Sequence, residues 1–135
     1  WQENLGINVE LVNQDWKVYL SREMIGDFQV SRAGWIGDYE DPNTFLDTLR
    51  PNRGNNKTGW NNDTFDQLVA KANATLDQDE RYNILMEAER LLIDEMPIAP
   101  IYTYVRVYQL HDDVKGWHPN ILSHHHPKYI KLERN

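Results

Sequence analysis

The fold of this chain is decided by residues 28–42, which run FQVSRAGWIGDYEDP. Residues 28–33 carry the side-chain pattern of a short strand. Gly34 and Gly37 then allow a close backbone approach, and Asp41-Pro42 is typical of an N-cap followed by proline in the first turn of a helix. A strand that ends in a loop before a helix marks the side of an open α/β sheet where ligands bind. We therefore predict an α/β fold with a ligand site in this loop.

A strand and a helix precede this stretch. Residues 7–11 alternate apolar and polar side chains, which indicates a half-buried strand. Asp15 is placed to cap a helix in which Trp16 and Leu20 share one face, and Gly26 ends that helix. A strand, a helix and a second strand in such quick succession favour a right-handed crossover and parallel pairing.

Helices dominate the middle of the chain, and a long strand follows them. We predict helices over 43–50, 63–76 and 79–96, strands over 98–110 and 129–133, and a loop over 116–127. Asp63 is expected to cap the second of these helices and Pro97 to stop the third. With the two earlier strands, these elements predict a mixed sheet flanked by helices.

The last long helix has both apolar and charged positions. We expect its buried face to carry five side chains, namely Tyr82, Leu85, Met86, Ile93 and Met96. The charged residues between Asp77 and Glu95 are interpreted as solvated faces.

Composition argues against several classes of function. The 135 residues carry a formal net charge of −7 and no cysteine, which disfavours a nucleic-acid partner and leaves no disulfide or thiolate chemistry. No apolar run approaches the roughly 20 residues of a membrane span. Motifs of phosphate-binding loops, nucleophile elbows and zinc proteases are missing. We expect neither a cofactor nor catalysis.

We call the loop that carries Gly34 and Gly37 the glycine loop. Two interpretations of it remain open from the residues alone. An ionised Asp38, beside an open strand edge and the start of a helix, is suited to receive an ammonium group. Trp35 would then offer a broad apolar face to the same ligand. Alternatively, Asp38 only forms a turn and Trp35 is buried in the core.

Five runs of the sequence, taken together, resemble one family. They are LGINVEL (5–11), DWKVYL (15–20), RAGWIGDYEDP (32–42), AERLL (88–92) and PIAPIY (97–102). The chain is similar, over essentially its whole length, to the peptide-binding proteins of bacterial ABC importers, the oligopeptide/dipeptide-binding family. The resemblance implies one lobe of a type II periplasmic-binding-protein-like fold.

The resemblance also implies a ligand site. In this family the aspartate at the position of Asp38 binds the α-amino group of the peptide. The backbone at Arg32, Ala33, Gly34 and Trp35 would pair with the peptide main chain by β-strand addition. Trp35, Trp16 and Leu20 match positions that line side-chain pockets.

A larger receptor follows from the same resemblance. Members have two lobes that close over the peptide. Residues 1–135 would form most of the C-terminal lobe, with 111–135 returning toward the other lobe. The expected partners are a peptide, the remaining lobe and an ABC permease, at a periplasmic or extracytoplasmic location, free or lipid-anchored. The pattern of a helix end at Trp1 to Gly6 agrees with a piece of a longer protein.

Other functions stay open from the sequence. The same fold carries other solutes, such as nickel chelates or sugars. A small metal-dependent α/β enzyme would use the four histidines of one loop, at 118, 124, 125 and 126, although none are spaced as a helical i, i+4 ligand pair. Trp60, in a polar loop, either contacts another lobe or a permease or packs locally.

Overall fold

The structure, a computed structural model, describes residues 1–51 and 54–133 and divides into two compact units, residues 1–33 and 34–135. The first unit contains helices α1 (Gln2–Leu5) and α2 (Trp16–Ile25). The second contains helices α3 (Asn43–Leu46), α4 (Asp63–Ala74) and α5 (Gln78–Glu95), strands β1 (Val114–Lys115) and β2 (Lys131–Leu132), and 3-10 turns at Asp47–Leu49 and Pro127–Tyr129. Among the helices described, none has the length and apolar character needed to cross a membrane.

Local capping explains where the helices of the first unit begin and end. The Asp15 carboxylate accepts a hydrogen bond from the backbone N–H of Lys17 at 2.9 Å, which satisfies one of the free donors at the start of α2. Gly6 and Gly26 close α1 and α2 in the left-handed conformation, with φ of +67° and +72°, which glycine adopts without strain. The predicted cap at Asp15 and the predicted helix end at Gly26 are confirmed.

The hydrophobic core of the second unit lies between α4, α5 and the segment from α3 to the first 3-10 turn. Nine apolar side chains form it: Leu46, Leu49, Phe65, Val69, Ala72, Ile84, Leu85, Ala88 and Leu92. Phe65 and Val69 are fully buried. The two long helices therefore make a helical hairpin, on which the segment that follows the glycine loop is packed.

Two details of these helices differ from the sequence predictions. Asn62, not Asp63, caps α4, because its side-chain oxygen accepts from the N–H of Phe65 at 3.0 Å. The buried stripe of α5 is Ile84, Leu85, Ala88 and Leu92, whereas Tyr82, Met86 and Met96 are exposed. Leu85 belongs to both the predicted and the observed stripe. Packing against α4 buries the face of α5 that is displaced by about one residue from the predicted face.

Only part of the strand prediction agrees with the structure. The α/β class is confirmed, and β2 falls within the predicted strand 129–133. Residues 7–11, 28–33 and 98–110 were expected to be strands, but within the described parts of the chain they form no ladder. The one ladder there is antiparallel, pairing Val114 with Leu132 and Lys115 with Lys131. A strand is defined by a ladder of backbone hydrogen bonds to a neighbouring strand, and these three segments have no such ladder in the two described stretches.

Candidate functional site

Asp38 lies in the loop that leads from Gly34 to α3, and its backbone is held from the protein side. The Asp38 N–H donates to Thr44 Oγ1 at 2.9 Å, and Thr44 is only 3% exposed. The side chain of Asp38 is exposed, and its carboxylate has no hydrogen-bond or ion-pair partner within residues 1–51 and 54–133. Asp38 therefore does not serve as a turn-forming side chain here, and its carboxylate is available to a ligand.

The two glycines of the loop have different roles. A Cβ added at Gly37 would lie 3.1 Å from Thr44 Cγ2 and 3.4 Å from Phe45 Cζ, so the packing of the loop on α3 leaves almost no room for a side chain. A Cβ at Gly34 would make an ordinary contact of 3.8 Å with the ring of Tyr104. Gly37 is thus the position at which the close approach of the loop to α3 requires a glycine. Trp35 is 42% exposed, so it is not the core residue of the alternative interpretation.

The turn itself is built by Asp41. Its Oδ1 accepts from the N–H of Asn43 at 2.9 Å, and its backbone carbonyl accepts from the N–H of Thr44 at 3.1 Å. Asp41 thus makes a side-chain contact of the kind predicted for it, whereas Pro42 rather than Asp41 is the N-cap of α3, which begins at Asn43. The turn brings Thr44 back to the backbone of Asp38.

Arg81 of α5 makes a bidentate ion pair with this same aspartate. Its Nη1 and Nη2 lie 2.7 and 2.8 Å from the two carboxylate oxygens of Asp41. Hydrogen bonding to Arg81 lowers the pKa of Asp41, and the same contact raises the pKa of Arg81. The interpretation of this helix's charged residues as solvated faces is therefore wrong for Arg81. The spacing in the sequence indicates that Arg81 lies on the buried face. It precedes Ile84, Leu85 and Ala88 by three, four and seven residues and so continues their stripe.

The remaining predicted site residues lie in the first unit. Trp16 and Leu20 are exposed on α2, and the Trp16 ring stacks on that of Tyr19 with centroids 5.2 Å apart. The Tyr19 hydroxyl donates to Glu23 Oε1 at 2.7 Å and lies 3.2 Å from the carbonyl oxygen of Arg32. Burial, together with Glu23, raises the pKa of Tyr19. This network joins α2 to the segment that carries Arg32 and Ala33.

The histidine loop is organised by aromatic stacking. The ring of His125 stacks on Trp117 with centroids 3.6 Å apart and an angle of 17°. Asn120 joins the two ends of the turn, since its side chain donates to the His124 carbonyl at 2.9 Å and accepts from the His124 N–H at 3.0 Å. In the part of the chain that the structure describes, no three histidine, aspartate or glutamate side chains are grouped as metal ligands.

Trp60 packs locally. Its indole N–H donates to Glu95 Oε2 at 2.6 Å, and its ring meets Phe65 edge-on at 4.9 Å. Glu95 Oε1 accepts from Asn62, the cap of α4, at 2.6 Å. Trp60 is therefore a partly buried residue that packs against the hydrophobic core.

Comparison with known proteins places these features in a family context. The family model described as "Bacterial extracellular solute-binding proteins, family 5 Middle" matches residues 1–57, which include every predicted site residue. The chain is 43% identical over 117 residues to the oligopeptide-binding protein OppA of Bacillus subtilis, covering 86% of this chain and 22% of that protein. It is 36% identical over 132 residues to the dipeptide-binding protein DppE of the same organism, covering 98% of this chain and 23% of that protein.

A solved structure shares the fold. The Escherichia coli murein tripeptide binding protein MppA superposes with a TM-score of 0.85 at 32% identity, covering 100% of this chain and 27% of that one. The chain spans less than a quarter of the length of the two curated relatives.

Proposed function

Because this chain belongs to the bacterial extracellular solute-binding proteins of family 5, we propose that it is a segment of an extracytoplasmic receptor that captures extended peptides for an ABC permease. We call the longer protein the parent receptor. The relatives compared above are named for binding oligopeptides, dipeptides and a murein tripeptide, and we extend a peptide ligand to this chain. The proposed activity is binding without catalysis.

The exposed carboxylate of Asp38, which has no hydrogen-bond or ion-pair partner among the described residues, is the observation that carries this proposal. It is exposed on a loop whose backbone is fixed by Thr44. A free peptide has one group common to every sequence at its first residue, the α-ammonium, and a carboxylate pairs with it whatever the side chain. The pair gains strength when the ligand site is closed and dry.

The backbone beside Asp38 supports a main-chain mode of binding. Residues 34–37 belong to no helix or strand, and in the described parts of the chain they make no backbone-to-backbone hydrogen bond. Such groups can add a peptide strand, and pairing through the main chain is independent of the peptide's sequence. We assign Arg32, Ala33, Gly34 and Trp35 to this contact, and Trp35, Trp16 and Leu20 to the walls of side-chain pockets.

Closure of two lobes over the peptide completes the proposed mechanism. We propose that residues 1–135 form most of the C-terminal lobe and that 111–135 return toward the other lobe. The peptide stabilises the closed state by the contacts it makes only there. Since this chain holds one side of the cleft, it should bind a tripeptide far more weakly than the parent receptor. Micromolar binding to the 135 residues alone would contradict that division of the site.

The decisive experiment is Asp38→Asn in the parent receptor. Removing one partner of a desolvated ion pair costs roughly 3–5 kcal/mol, so we expect the affinity for a tripeptide with a free α-amine to fall by about a hundredfold or more. Titration calorimetry measures it. Acetylating the peptide's amine should cause a similar loss in the unmodified receptor and little further loss in the variant.

Glu40→Gln is the matched control, because Glu40 is an exposed acid two residues away in the same loop. It should leave affinity within a few-fold. The proposal is wrong if Asp38→Asn also stays within a few-fold, or if both variants lose affinity equally. Mass spectrometry of ligands that co-purify with the parent receptor then reports their class and length.

A further inference from the structure

The backbone of Asp38 is connected to the helical core by a short series of contacts. Asp38 donates its N–H to Thr44 Oγ1. Thr44 donates its own N–H to the carbonyl of Asp41 at 3.1 Å. Asp41 in turn receives both terminal nitrogens of Arg81, at 2.7 and 2.8 Å. The position of the Asp38 backbone therefore depends on where Asp41 is held.

Arg81 is a firm anchor for that aspartate. It lies in the first turns of α5, where the Asp77 carboxylate caps the helix by accepting from the N–H of Glu80 at 2.8 Å. The next turns carry Ile84 and Leu85, both buried in the core. A bidentate guanidinium–carboxylate pair fixes orientation as well as distance. The side chains of Arg81 and Asp41 are 20% and 22% exposed, so solvent competes only weakly for the contact.

A second arginine pair of the same kind serves as a comparison within the chain. Arg50 binds Asp66 through Nε at 2.5 Å and Asp47 through Nη1 at 3.3 Å. Its side chain is 16% exposed. This pair joins the 3-10 turn to α4, and within residues 1–51 and 54–133 the Arg50 side chain donates to Asp66 and Asp47 and to no residue of 37–45.

We propose that Arg81 is a positioning residue for ligand binding, which holds the Asp38 carboxylate in place through Asp41 and Thr44. The inference rests on the proposed function, in which Asp38 receives the α-ammonium of a peptide. Arg81 does not touch the peptide. It fixes the turn so that Asp38 is pre-organised, and pre-organisation reduces the ordering cost that binding would otherwise carry.

The first test is hydrogen exchange in this 135-residue chain. In Arg81→Met the backbone amides of residues 37–45 should exchange faster than in the unmodified chain, because the turn loses its anchor. Arg50→Met should speed exchange near its own partners and leave 37–45 unchanged. Equal exchange of 37–45 in the unmodified chain and in Arg81→Met would overturn the proposal.

The second test measures affinity in the parent receptor for a tripeptide with a free α-amine. Arg81→Met should weaken binding by about tenfold, and Arg81→Lys by less, since lysine keeps the charge but not the fork. Arg50→Met should lower the melting temperature comparably and leave affinity within about twofold. In an Asp38→Asn background, Arg81→Met should have little further effect, because residues that act through one contact are coupled.

The outcomes separate this proposal from the function on which it rests. If Asp38→Asn weakens binding strongly while Arg81→Met and Arg81→Lys do not, the positioning role is wrong and the proposed function stands. If Arg50→Met weakens binding as much as Arg81→Met, the effect is general destabilisation and the positioning role is again wrong. If Asp38→Asn has no effect, the proposed function fails first. Should Arg81→Met fail to fold, Arg81→Lys and Thr44→Val test the same series of contacts.

Discussion

Arg81 and Asp41 are 40 positions apart in the sequence, yet the two terminal nitrogens of the arginine lie 2.7 and 2.8 Å from the two carboxylate oxygens of the aspartate. This pair joins the start of α5 to the turn between the glycine loop and α3. It therefore links the most regular part of the chain to the loop that carries the candidate ligand residue.

The ion pair should make stability depend on pH in one direction. Because hydrogen bonding to Arg81 lowers the folded-state pKa of Asp41, the contribution is complete above the ordinary aspartate pKa of about 3.9. It is lost as the pH falls from there through the folded-state pKa. For a partly exposed pair we expect an effect on the order of 1 kcal/mol. Urea unfolding of the unmodified chain and of Asp41→Asn, between pH 6 and pH 2.5, measures the difference.

The control for this pH dependence is the Arg81→Met background. There the pH-dependent effect of Asp41→Asn should be much smaller, since the largest cause of the lowered pKa has been removed and only the hydrogen bond from the Asn43 N–H still lowers it. A difference between the unmodified chain and Asp41→Asn that stays constant from pH 6 to pH 2.5 would contradict the assignment.

Thr44→Val tests the hydrogen bond that holds Asp38. Valine has the shape of threonine but leaves the Asp38 N–H without its acceptor, so we expect a loss of about 1 kcal/mol in the free energy of unfolding. Thr48→Val is the control, because the Thr48 hydroxyl donates to the carbonyl of Phe45 and not to a group of Asp38. Faster exchange of the Asp38 amide should appear in Thr44→Val alone, and its appearance in both variants would argue against this contact.

Gly116 should be far less tolerant of a side chain than other glycines with positive φ. A Cβ at Gly116 would lie 1.8 Å from the carbonyl oxygen of Tyr129, whereas one at Gly59 meets nothing within 4 Å. The two residues have similar φ, +78° and +73°. Gly59→Ala should therefore cost about 1 kcal/mol, from the left-handed conformation alone.

Gly116→Ala adds a backbone clash to that strain, so we expect several times the loss. The ladder between β1 and β2 should loosen with it, because Gly116 directly follows β1 and Tyr129 lies two residues before β2. Thermal unfolding by circular dichroism compares the two variants, and equal melting temperatures would show that the close approach to Tyr129 is not maintained.

Glu95 should stabilise the helical hairpin through two contacts. Its carboxylate accepts from the Trp60 indole and from the Asn62 side chain. Glu95→Ala removes both acceptors, so we expect a loss of about 1–2 kcal/mol and a change in tryptophan fluorescence. Asp94→Ala changes a neighbouring exposed acid near the negative end of the α5 dipole, and it should be neutral or slightly stabilising. A similar loss in both variants would mean that the two hydrogen bonds contribute little.

Several features were predictable from the sequence because their causes are local. Asp15 and Gly26 set the ends of α2 through bonds to residues two to four positions away. The same holds for the turn at Asp41, whose hydrogen bonds reach only to Asn43 and Thr44. The position of Asp38 between a glycine loop and a helix also followed from short-range patterns.

Other features depended on contacts between residues that are far apart in the sequence. The stripe of α5 was assigned one position away from that observed, because Leu85 fits both stripes and only the packing on α4 distinguishes them. For the same reason Arg81, which continues the observed buried stripe of α5, was predicted to lie on a solvent-exposed face.

By itself, the sequence determined the helices, the two ends of α2 and the loop that presents Asp38, since hydrogen bonds between near neighbours and backbone preferences act without the rest of the fold. The tertiary structure alone decided which helix face is buried, that Arg81 binds Asp41, and which extended segments are paired. Residues 7–11, 28–33 and 98–110 have the composition of strands, but a ladder needs a second backbone at hydrogen-bonding distance. The residues of a strand do not specify which segment pairs with it, because that depends on which backbones the assembled fold brings together.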